Sequence, residues 1–177
     1  MDKTIPDVIS TLPTNVIKVN YPSGVSVNLG NELTPLQVKD EPTLEWSTET
    51  GALYTVIMLD PDVAEDIRAI KHWLIVNVPD NDLSKGELLA PYVGSRPPQD
   101  SGLHRYIFLV YKQLAGHLYH TEVPLKPNDR LGRRKFSAKQ FAKRYNLGEP
   151  YAGNLFVAKA DDYSNQLWAE INKPKLD

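Results

Sequence analysis

The stretch LYTVIMLDPD at residues 53–62 is an apolar run that ends in two aspartates separated by a proline. Apolar runs that are rich in β-branched and aromatic residues are typical of strands buried in a sheet. The run therefore predicts a strand over 53–60. Asp60 and Asp62 stand at its end, and polar residues that a rigid strand presents to a loop indicate a functional site there.

Outward from this run, other short segments share its β-type composition, and turn signals such as YPSG, PDND and GSRPPQDSG separate them. No helical pattern of about 10 to 15 residues recurs between them, as a parallel βαβ arrangement would require. The other predicted strands are 15–21, 25–29, 43–47, 72–78, 103–112 and 154–159. We therefore expect a mainly β, antiparallel, Greek-key-like sheet system.

Helical signals occur only late in the chain. Ser137 and Gln140 have the spacing of a capping box, and Phe136 and Phe141 flank it as a hydrophobic staple. These residues predict a helix that begins at Ser137 and ends before Gly148.

A second helix is predicted over DDYSNQLWAEIN. Asp161 or Asp162 is expected to cap its first amides, and Pro174 to end it. The apolar stripe of this helix consists of Tyr163, Leu167, Trp168 and Ile171.

Composition restricts the class of protein. The 177 residues fit one domain, which we expect to span residues 1–177. A net charge of −2 gives no overall attraction to nucleic acid, and the absence of cysteine excludes disulfide scaffolds, thiolate nucleophiles and iron–sulfur clusters. The N-terminal MDKTIPDVISTLPTN lacks the apolar core of a secretory signal, and no run reaches the ~18 apolar residues of a transmembrane segment. A cytoplasmic location is therefore expected.

Three predicted strands bring polar side chains to one edge of the sheet. If 53–60 pairs antiparallel with 72–78, Asp60 lies beside His72. If 103–112 also runs antiparallel to 53–60, His104 arrives at the same edge. Side-chain alternation puts His104 and Arg105 on opposite faces, so we expect His104 to face a ligand and Arg105 to hold a carboxylate or loop carbonyls behind it.

The loop YVGSRPPQDSG would complete a pocket at this edge, with Gly94, Pro97 and Pro98 as a rigid wall. Nearby carboxylates are expected to raise the pKa of both histidines above ~6.5 and make them donors to an anion. Two imidazoles beside carboxylates could instead hold a divalent metal. An ordinary Asx-type turn with strand-end histidines would give the same pattern without any site. The arrival of three strand ends at one edge favours anion binding.

These residues resemble a known family. DPD after an apolar strand, the histidine of HWLIVN and the segment YVGSRPPQDSGLHRYIFLVYKQ are similar to the phosphatidylethanolamine-binding proteins, also called Raf kinase inhibitor proteins. The resemblance covers nearly the whole chain. It implies two antiparallel sheets with late helices, and a small pocket that takes anionic groups such as a phosphorylethanolamine head.

The resemblance also implies roles for residues. Gly102 and Arg105 are expected to support the pocket, and Arg96 and Trp168 to form its rim or gate. The implied ligand-binding residues are Asp60, Pro61, Asp62, His72, Gly94, Pro97, Pro98, His104 and Tyr106.

Three positions depart from the family pattern. Ala64 stands where a proline is common, Ile70 where an aromatic residue is frequent, and Arg96 where many members have glycine. An arginine at the rim would attract an anion or restrict its entry. The ligand preference is therefore expected to differ from that of other members.

Two further patterns carry weaker hypotheses. RLGRRKFSAKQFAKR, residues 130–144, holds seven basic residues and no acidic one. It has no interleaved aromatic residues to stack on RNA bases, so we interpret it as a solvated loop and helix face with a protein partner as the alternative. His117 and His120 have a metal-like spacing, but on a strand they would face opposite sides, and no metal site is predicted there.

Together the residues and the resemblance predict a cytoplasmic, monomeric binding protein that is not an enzyme and needs no cofactor. Its expected partners are a phosphate-bearing small ligand or phospholipid head group, and a protein kinase whose signalling it modulates through protein contacts. Two alternatives stay open. One is an inhibitor of serine proteases or carboxypeptidases that acts through its surface, and the other is a weak hydrolase that uses the Asp/His cluster.

Overall fold

The computed structural model of this chain describes residues 7–173. Its strands are β1 (Asn15–Val16), β2 (Lys18–Asn20), β3 (Thr43–Glu45), β4 (Leu53–Asp60), β5 (Ile70–Pro79), β6 (Glu87–Ala90), β7 (His104–Lys112) and β8 (Ala152–Ala158). Its helices are α1 (Ala138–Arg144) and α2 (Asp162–Ile171). Within the described residues, six strands form a sheet in the order β1-β8-β7-β4-β5-β6, and β2 pairs with β3 in a small second sheet. The predicted fold class, mainly β with late helices, is confirmed.

Strand β4 lies in the middle of the main sheet and pairs antiparallel with β5 and β7. Its residues from Tyr54 to Asp60 are buried, because the sheet is covered on both faces. On one face Met58 belongs to the same apolar cluster as Trp46, next to the small sheet, and on the other face Ile57 belongs to the same cluster as Phe141 of α1. A strand that is covered on both faces has a continuous apolar sequence, and the run LYTVIML therefore predicted a buried strand correctly.

Strand β7 shows the predicted alternation. Tyr106 and Phe108 belong to the apolar cluster on the side of the small sheet, and Ile107 and Leu109 belong to the cluster on the side of α1. His104 is two residues before Tyr106 on the same strand, so its side chain points to the same side of the sheet as Tyr106. This register places its imidazole at the end of the sheet where β4 also ends.

The strands near the N-terminus differ from the prediction. The predicted strand 15–21 is two strands in different sheets, because β1 pairs in parallel with β8 while β2 pairs antiparallel with β3. The predicted strand 25–29 was wrong, since Ser26 makes only an isolated bridge to Asn20 and Leu29 has a left-handed φ of 50°. β6 was not predicted, because its short ELLA sequence lacks β-branched residues.

Both helix starts are as predicted. Ser137 Oγ accepts a hydrogen bond from Gln140 N at 3.2 Å, and the rings of Phe136 and Phe141 lie 5.8 Å apart. Helix α1 ends at Arg144, with Tyr145 at its C-cap, which is earlier than predicted.

At the start of α2, Asp161 caps the helix and forms a reciprocal box with Ser164. Pro174, which was predicted to end this helix, and residues 1–6 lie outside the described residues. No helix in the described part of the chain combines the length and the apolar character needed to cross a bilayer.

Candidate functional site

Asp60 at the end of β4 and His104 at the start of β7 form the centre of the site. Both are buried, with 2% exposure each. His104 Nδ1 donates to Asp60 Oδ2 at 2.9 Å, and the second carboxylate oxygen, Oδ1, accepts from the backbone N–H of Asp62 at 2.8 Å. The Asx-type turn and the carboxylate–imidazole pair, considered as alternatives from the sequence, therefore occur together.

The protonation of His104 follows from this contact. Burial by itself would lower the pKa of His104, but the hydrogen bond to Asp60 and the charges of Asp60 and Asp62 outweigh it and raise that pKa. The predicted direction is therefore confirmed for this histidine. Because Nδ1 is engaged by Asp60, Nε2 is the ring nitrogen left to donate to an anion.

His72 reaches the same cavity through an irregularity of β5. Asp60 pairs in register with Ile70 rather than with His72, since the register shifts between the Met58–Trp73 and Leu59–Lys71 pairs and His72 is the extra residue. Asp60 and His72 are therefore not a register pair, although both line the cavity at this edge of the sheet. A bulge of this kind changes the direction of a side chain at a sheet edge. Here it places His72 on the cavity wall.

The charge state of His72 also corrects the sequence prediction. Burial lowers its pKa to about 4, and the attraction of Asp60 is too weak to reverse this. Its Nδ1 lies 2.8 Å from the carbonyl oxygen of Val93, which can only accept, so Nδ1 carries the hydrogen. At neutral pH His72 is a neutral ring whose Nε2 is an acceptor. The two histidines thus have opposite hydrogen-bonding roles.

Arg105 lies behind the site and holds the carboxylate of Asp62, as predicted. Its Nη2 and Nε donate to Asp62 Oδ1 and Oδ2 at 2.7 and 2.8 Å, and its backbone N–H donates to Oδ2 at 2.8 Å. Nη2 also donates to Asp7 at 2.9 Å. Burial would raise the pKa of Asp62, but these hydrogen bonds hold it below the usual range. Asp62, predicted to bind the ligand, therefore lines the cavity but has both carboxylate oxygens occupied by Arg105.

Tyr106 supports His72 from behind. The two rings meet edge to face with centroids 5.2 Å apart, and Tyr106 stacks on Phe156 at 5.0 Å. Burial, and then the charge of Asp60, raises the pKa of Tyr106 well above its usual value, so the hydroxyl keeps its proton. No residue of the range 7–173 meets this hydroxyl with the geometry of a hydrogen bond, although Asp60 and the backbone of Arg96 lie close to it.

An open cavity of about 290 Å³ lies beside Asp60, His72 and His104. This volume is near the lower end of the range for small-molecule pockets. The predicted site residues on its wall are Asp60, Asp62, His72, Arg96, Pro98, His104 and Trp168. Ala64, Ile70 and Arg96, where the chain departs from the family pattern, all line it.

Four residues predicted to bind the ligand do not line the cavity, namely Pro61, Gly94, Pro97 and Tyr106. Pro61 and Pro97 are buried. Gly94 backs onto another segment, because a Cβ at this position would lie 2.8 Å from the carbonyl oxygen of Val38. These residues shape the wall from behind. Gly102, predicted as support, has a φ of 81° and forms the turn before β7.

Arg133 is a wall residue that the sequence analysis missed. It is 3% exposed and donates from Nη1 to the carbonyl oxygens of Pro91 and His72, at 3.0 and 3.3 Å. The interpretation of residues 130–144 as a solvated surface was therefore wrong at this position. The three arginines in RLGRRK were the available signal, but the carbonyls that bury Arg133 come from distant segments.

Arg96 and Trp168, predicted as a rim or gate, both line the cavity. Trp168 Nε1 donates to the carbonyl oxygen of Arg96 at 3.2 Å, and the Arg130 guanidinium lies 5.0 Å from the centre of the Trp168 ring. Arg130 and Arg134 also line the cavity, and both were missed. Burial, and then the charge of Arg130, lowers the pKa of Arg96, although the guanidinium stays protonated at neutral pH.

His117 and His120 converge, contrary to the geometric argument from the sequence. They lie outside any strand, and their Nε2 atoms approach the two carboxylate oxygens of Glu87, at 3.6 and 3.0 Å. Over the described range, however, no group of three or more His, Asp or Glu residues is arranged to hold a metal ion.

A β fold with an open polar cavity at one sheet edge defines the class of this protein, and comparison with known sequences identifies the family. The model of the phosphatidylethanolamine-binding protein family matches residues 23–156. "Putative odorant-binding protein A5" of Drosophila melanogaster is 33% identical over 169 residues, 93% of this chain and 80% of that protein. The 26 kDa secreted antigen of Toxocara canis is 35% identical over 88% of this chain, which spans 61% of that protein's length. The chain belongs to the phosphatidylethanolamine-binding protein family, as the sequence resemblance predicted.

Solved structures show the same fold. The solution structure of CG7054 is 43% identical, with a TM-score of 0.72 over 93% of this chain and 95% of that chain. The carboxypeptidase Y inhibitor, crystallised with its cognate proteinase, is 24% identical, with a TM-score of 0.74 over 90% of this chain and 92% of that chain. At this lower identity the likeness shows the fold alone.

Proposed function

We propose that this chain is a binding protein without enzymatic activity whose cavity receives the phosphate-bearing end of a small ligand or a phospholipid head group. The observation that carries the proposal is the joint position of His104 and four arginines on one open cavity wall. Guanidinium groups and a protonated imidazole are the side chains that best recognise phosphate oxygens.

The two histidines complement a phosphate monoester. His104 offers a donor at Nε2, and neutral His72 offers an acceptor at Nε2, because each uses Nδ1 for a protein contact. A phosphate monoester has a second pKa near 6, so around that pH it presents oxygens that accept and one hydroxyl that donates. Two imidazoles in opposite protonation states on one cavity therefore match a ligand that both accepts and donates hydrogen bonds.

The experiment is a titration with inorganic phosphate, followed by NMR of the backbone amides at pH 6 and pH 8. We expect amide shifts around Asp60, His72 and His104, with tighter binding at the lower pH. The His104→Ala variant should lose this response, while Lys139→Gln, which removes an exposed charge on α1, should keep it. Unshifted cavity amides at both pH values would overturn the proposal.

The proposal has two further parts: the protein modulates a kinase, and it is located in the cytoplasm. Family membership supports the first. The direct measurements are a kinase cascade reconstituted with and without this protein, and fractionation of the cells that express it. A relative named as a secreted antigen makes the fractionation informative, because recovery in the medium would overturn the cytoplasmic location.

One observation favours a second candidate, an Asp/His hydrolase. The Asp60–His104 pair couples a buried carboxylate to an imidazole of raised pKa, which is an arrangement that can transfer protons. Turnover of phosphate esters that disappears in His104→Ala would establish this function.

Protease inhibition is the activity named for the carboxypeptidase Y inhibitor, and it is tested by assays against serine carboxypeptidases. Inhibition that survives His104→Ala would indicate that it acts through the surface.

A further inference from the structure

We infer that the cavity selects an apolar phosphate monoester, which carries a short alkyl or aryl group and no ammonium group, over zwitterionic phosphorylethanolamine, and that Arg96 sets this selection. The inference rests on the proposed function and narrows the class of ligand. Three features of the cavity carry it: a surplus of positive charge, the absence of a carboxylate that lacks a cationic partner, and an apolar wall.

The surplus of positive charge is local. Arg96, Arg130, Arg133 and Arg134 line the cavity, whereas only two carboxylates, Asp60 and Asp62, do so among the described residues. No ion pair within the described chain joins any of these arginines to a carboxylate. The charges of Arg96 and Arg130 therefore repel each other, and an anion bound in the cavity would relieve this repulsion.

An ammonium group entering the same cavity would find both carboxylates already paired, Asp60 with His104 and Asp62 with Arg105. Asp60 Oδ1 and Oδ2 accept from Asp62 N and His104 Nδ1. Asp62 Oδ1 and Oδ2 accept from Arg105. A ligand ammonium would therefore be desolvated beside guanidinium groups without a free carboxylate, which is an unfavourable position for a cation.

The remaining wall suits a hydrocarbon group. Val63, Ile67, Ile70 and Ile171 line the side of the cavity between the 3₁₀ turn at Glu65–Ile67 and the end of α2. Burial of a few apolar ligand carbons against such a wall is favourable in proportion to the area removed from water. A phosphate with a short apolar substituent therefore matches both sides of the cavity.

Arg96 is the arginine best placed to set the preference. Arg133 already donates to backbone carbonyls, Arg130 is engaged with the Trp168 ring, and Arg134 is exposed. Arg96 is half-buried, and its guanidinium makes no hydrogen bond or ion pair with any residue of the range 7–173. Its charge is therefore available to a ligand, and its removal leaves no protein group unpaired.

The test compares ligands that differ by one group. Ethyl phosphate is phosphorylethanolamine without the ammonium group, and phenyl phosphate adds apolar area. Affinities for the three are measured by calorimetry on wild type, Arg96→Gln, Arg96→Gly and the control Lys139→Gln. We expect ethyl phosphate to bind about tenfold more tightly than phosphorylethanolamine, since an ammonium group that loses a hydrogen bond to water without replacement costs at least this factor. Phenyl phosphate should bind more tightly still.

Both Arg96 variants should reduce the preference for ethyl phosphate over phosphorylethanolamine by about fivefold or more, and Lys139→Gln should leave it unchanged. Equal affinities of the wild type for these two ligands would overturn the inference, and so would an unchanged preference in the Arg96 variants. If phenyl phosphate binds no more tightly than ethyl phosphate, the apolar part fails. Absence of binding by inorganic phosphate and all three esters would instead refute the proposed function itself.

Discussion

Asp60, the last residue of β4, and His104, the first residue of β7, are joined by a 2.9 Å hydrogen bond from His104 Nδ1 to Asp60 Oδ2. The two strands are antiparallel neighbours, so the end of one meets the beginning of the other. Strand pairing therefore places Asp60 against His104, and this contact raises the pKa of the His104 ring. A substitution at Asp60 should change ligand binding through His104.

Replacement of Asp60 by asparagine should lower the pKa of His104 below its ordinary value. The amide oxygen can still accept from Nδ1, but the carboxylate charge that offset burial is gone. Phosphate binding at pH 7 should weaken about tenfold and recover at lower pH, because binding requires the protonated ring. NMR titration of the His104 ring measures the pKa. Asp82→Asn, at an exposed loop carboxylate, is the control, and an unchanged His104 titration in Asp60→Asn would contradict the argument.

His72 should make the protein less stable as the pH falls. Its pKa is about 4 in the folded state and ~6.5 in the unfolded state, so the unfolded state binds the proton first. The stabilising contribution is present above pH ~6.5 and is lost as the pH falls towards 4, by roughly 3 kcal/mol in all. His104 acts in the opposite direction, because its folded pKa is raised: its contribution is present below pH ~6.5 and is lost as the pH rises through the folded value.

The two contributions can be separated with His72→Asn, whose amide can still donate to the Val93 carbonyl. Urea unfolding between pH 4 and pH 7 should show a flatter loss of the free energy of unfolding in this variant than in wild type. The same slope in both proteins would mean that His72 is not the group responsible.

The centre of the site was predictable because it depends on strand ends and alternation. The continuous apolar run of β4 showed that both faces are covered, and the register of antiparallel neighbours then brought Asp60 and His104 together. Alternation along β7 also predicted correctly that Arg105 holds a carboxylate behind the sheet. These features arise from local periodicity, which a sequence displays directly.

The basic wall and the protonation of His72 were not predictable in the same way. His72 is the extra residue of an irregular register, and no residue in its neighbourhood marks that irregularity. Arg133 is buried because carbonyls of Pro91 and His72 surround it, about 40 and 60 residues away in sequence. The sequence around Arg133 does not indicate that this arginine is buried, because the carbonyls that bury it belong to distant segments. Arginines are mostly exposed in proteins, so an exposed Arg133 was expected.

Arg105→Lys should destabilise the protein although the charge is kept. A lysine cannot reproduce the forked contact in which Nε and Nη2 donate to both oxygens of Asp62. We expect a loss of about 2 kcal/mol in the free energy of unfolding, measured by chemical denaturation. Lys18→Gln breaks the exposed Lys18–Glu45 pair and should cost less than about 1 kcal/mol. Similar losses in the two variants would show that the fork adds nothing beyond a surface ion pair.

Asn77 should be the most sensitive polar residue away from the cavity. It is buried within β5, and its Oδ1 accepts from Leu118 N and Gln113 Nε2, both at 2.7 Å. Its Nδ2 donates to the carbonyl oxygen of Leu118 at 3.0 Å. The side chain therefore fixes the segment after β7 to the main sheet. Its φ of 57° is left-handed, a conformation that asparagine tolerates better than alanine.

Asn77→Ala should therefore lose both the hydrogen bonds and the tolerated backbone conformation, and we expect it to cost about 3 kcal/mol or more. Asn77→Gly loses the same hydrogen bonds but adopts the left-handed conformation freely, so it should be the less damaging variant by about 0.5–1 kcal/mol. Urea denaturation midpoints measure the difference. Amide hydrogen exchange at Leu118 should be faster in both variants, since its N–H has lost its acceptor. Equal stability of the two variants would rule out a backbone contribution, and unchanged exchange at Leu118 would rule out the side chain as the link between the segments.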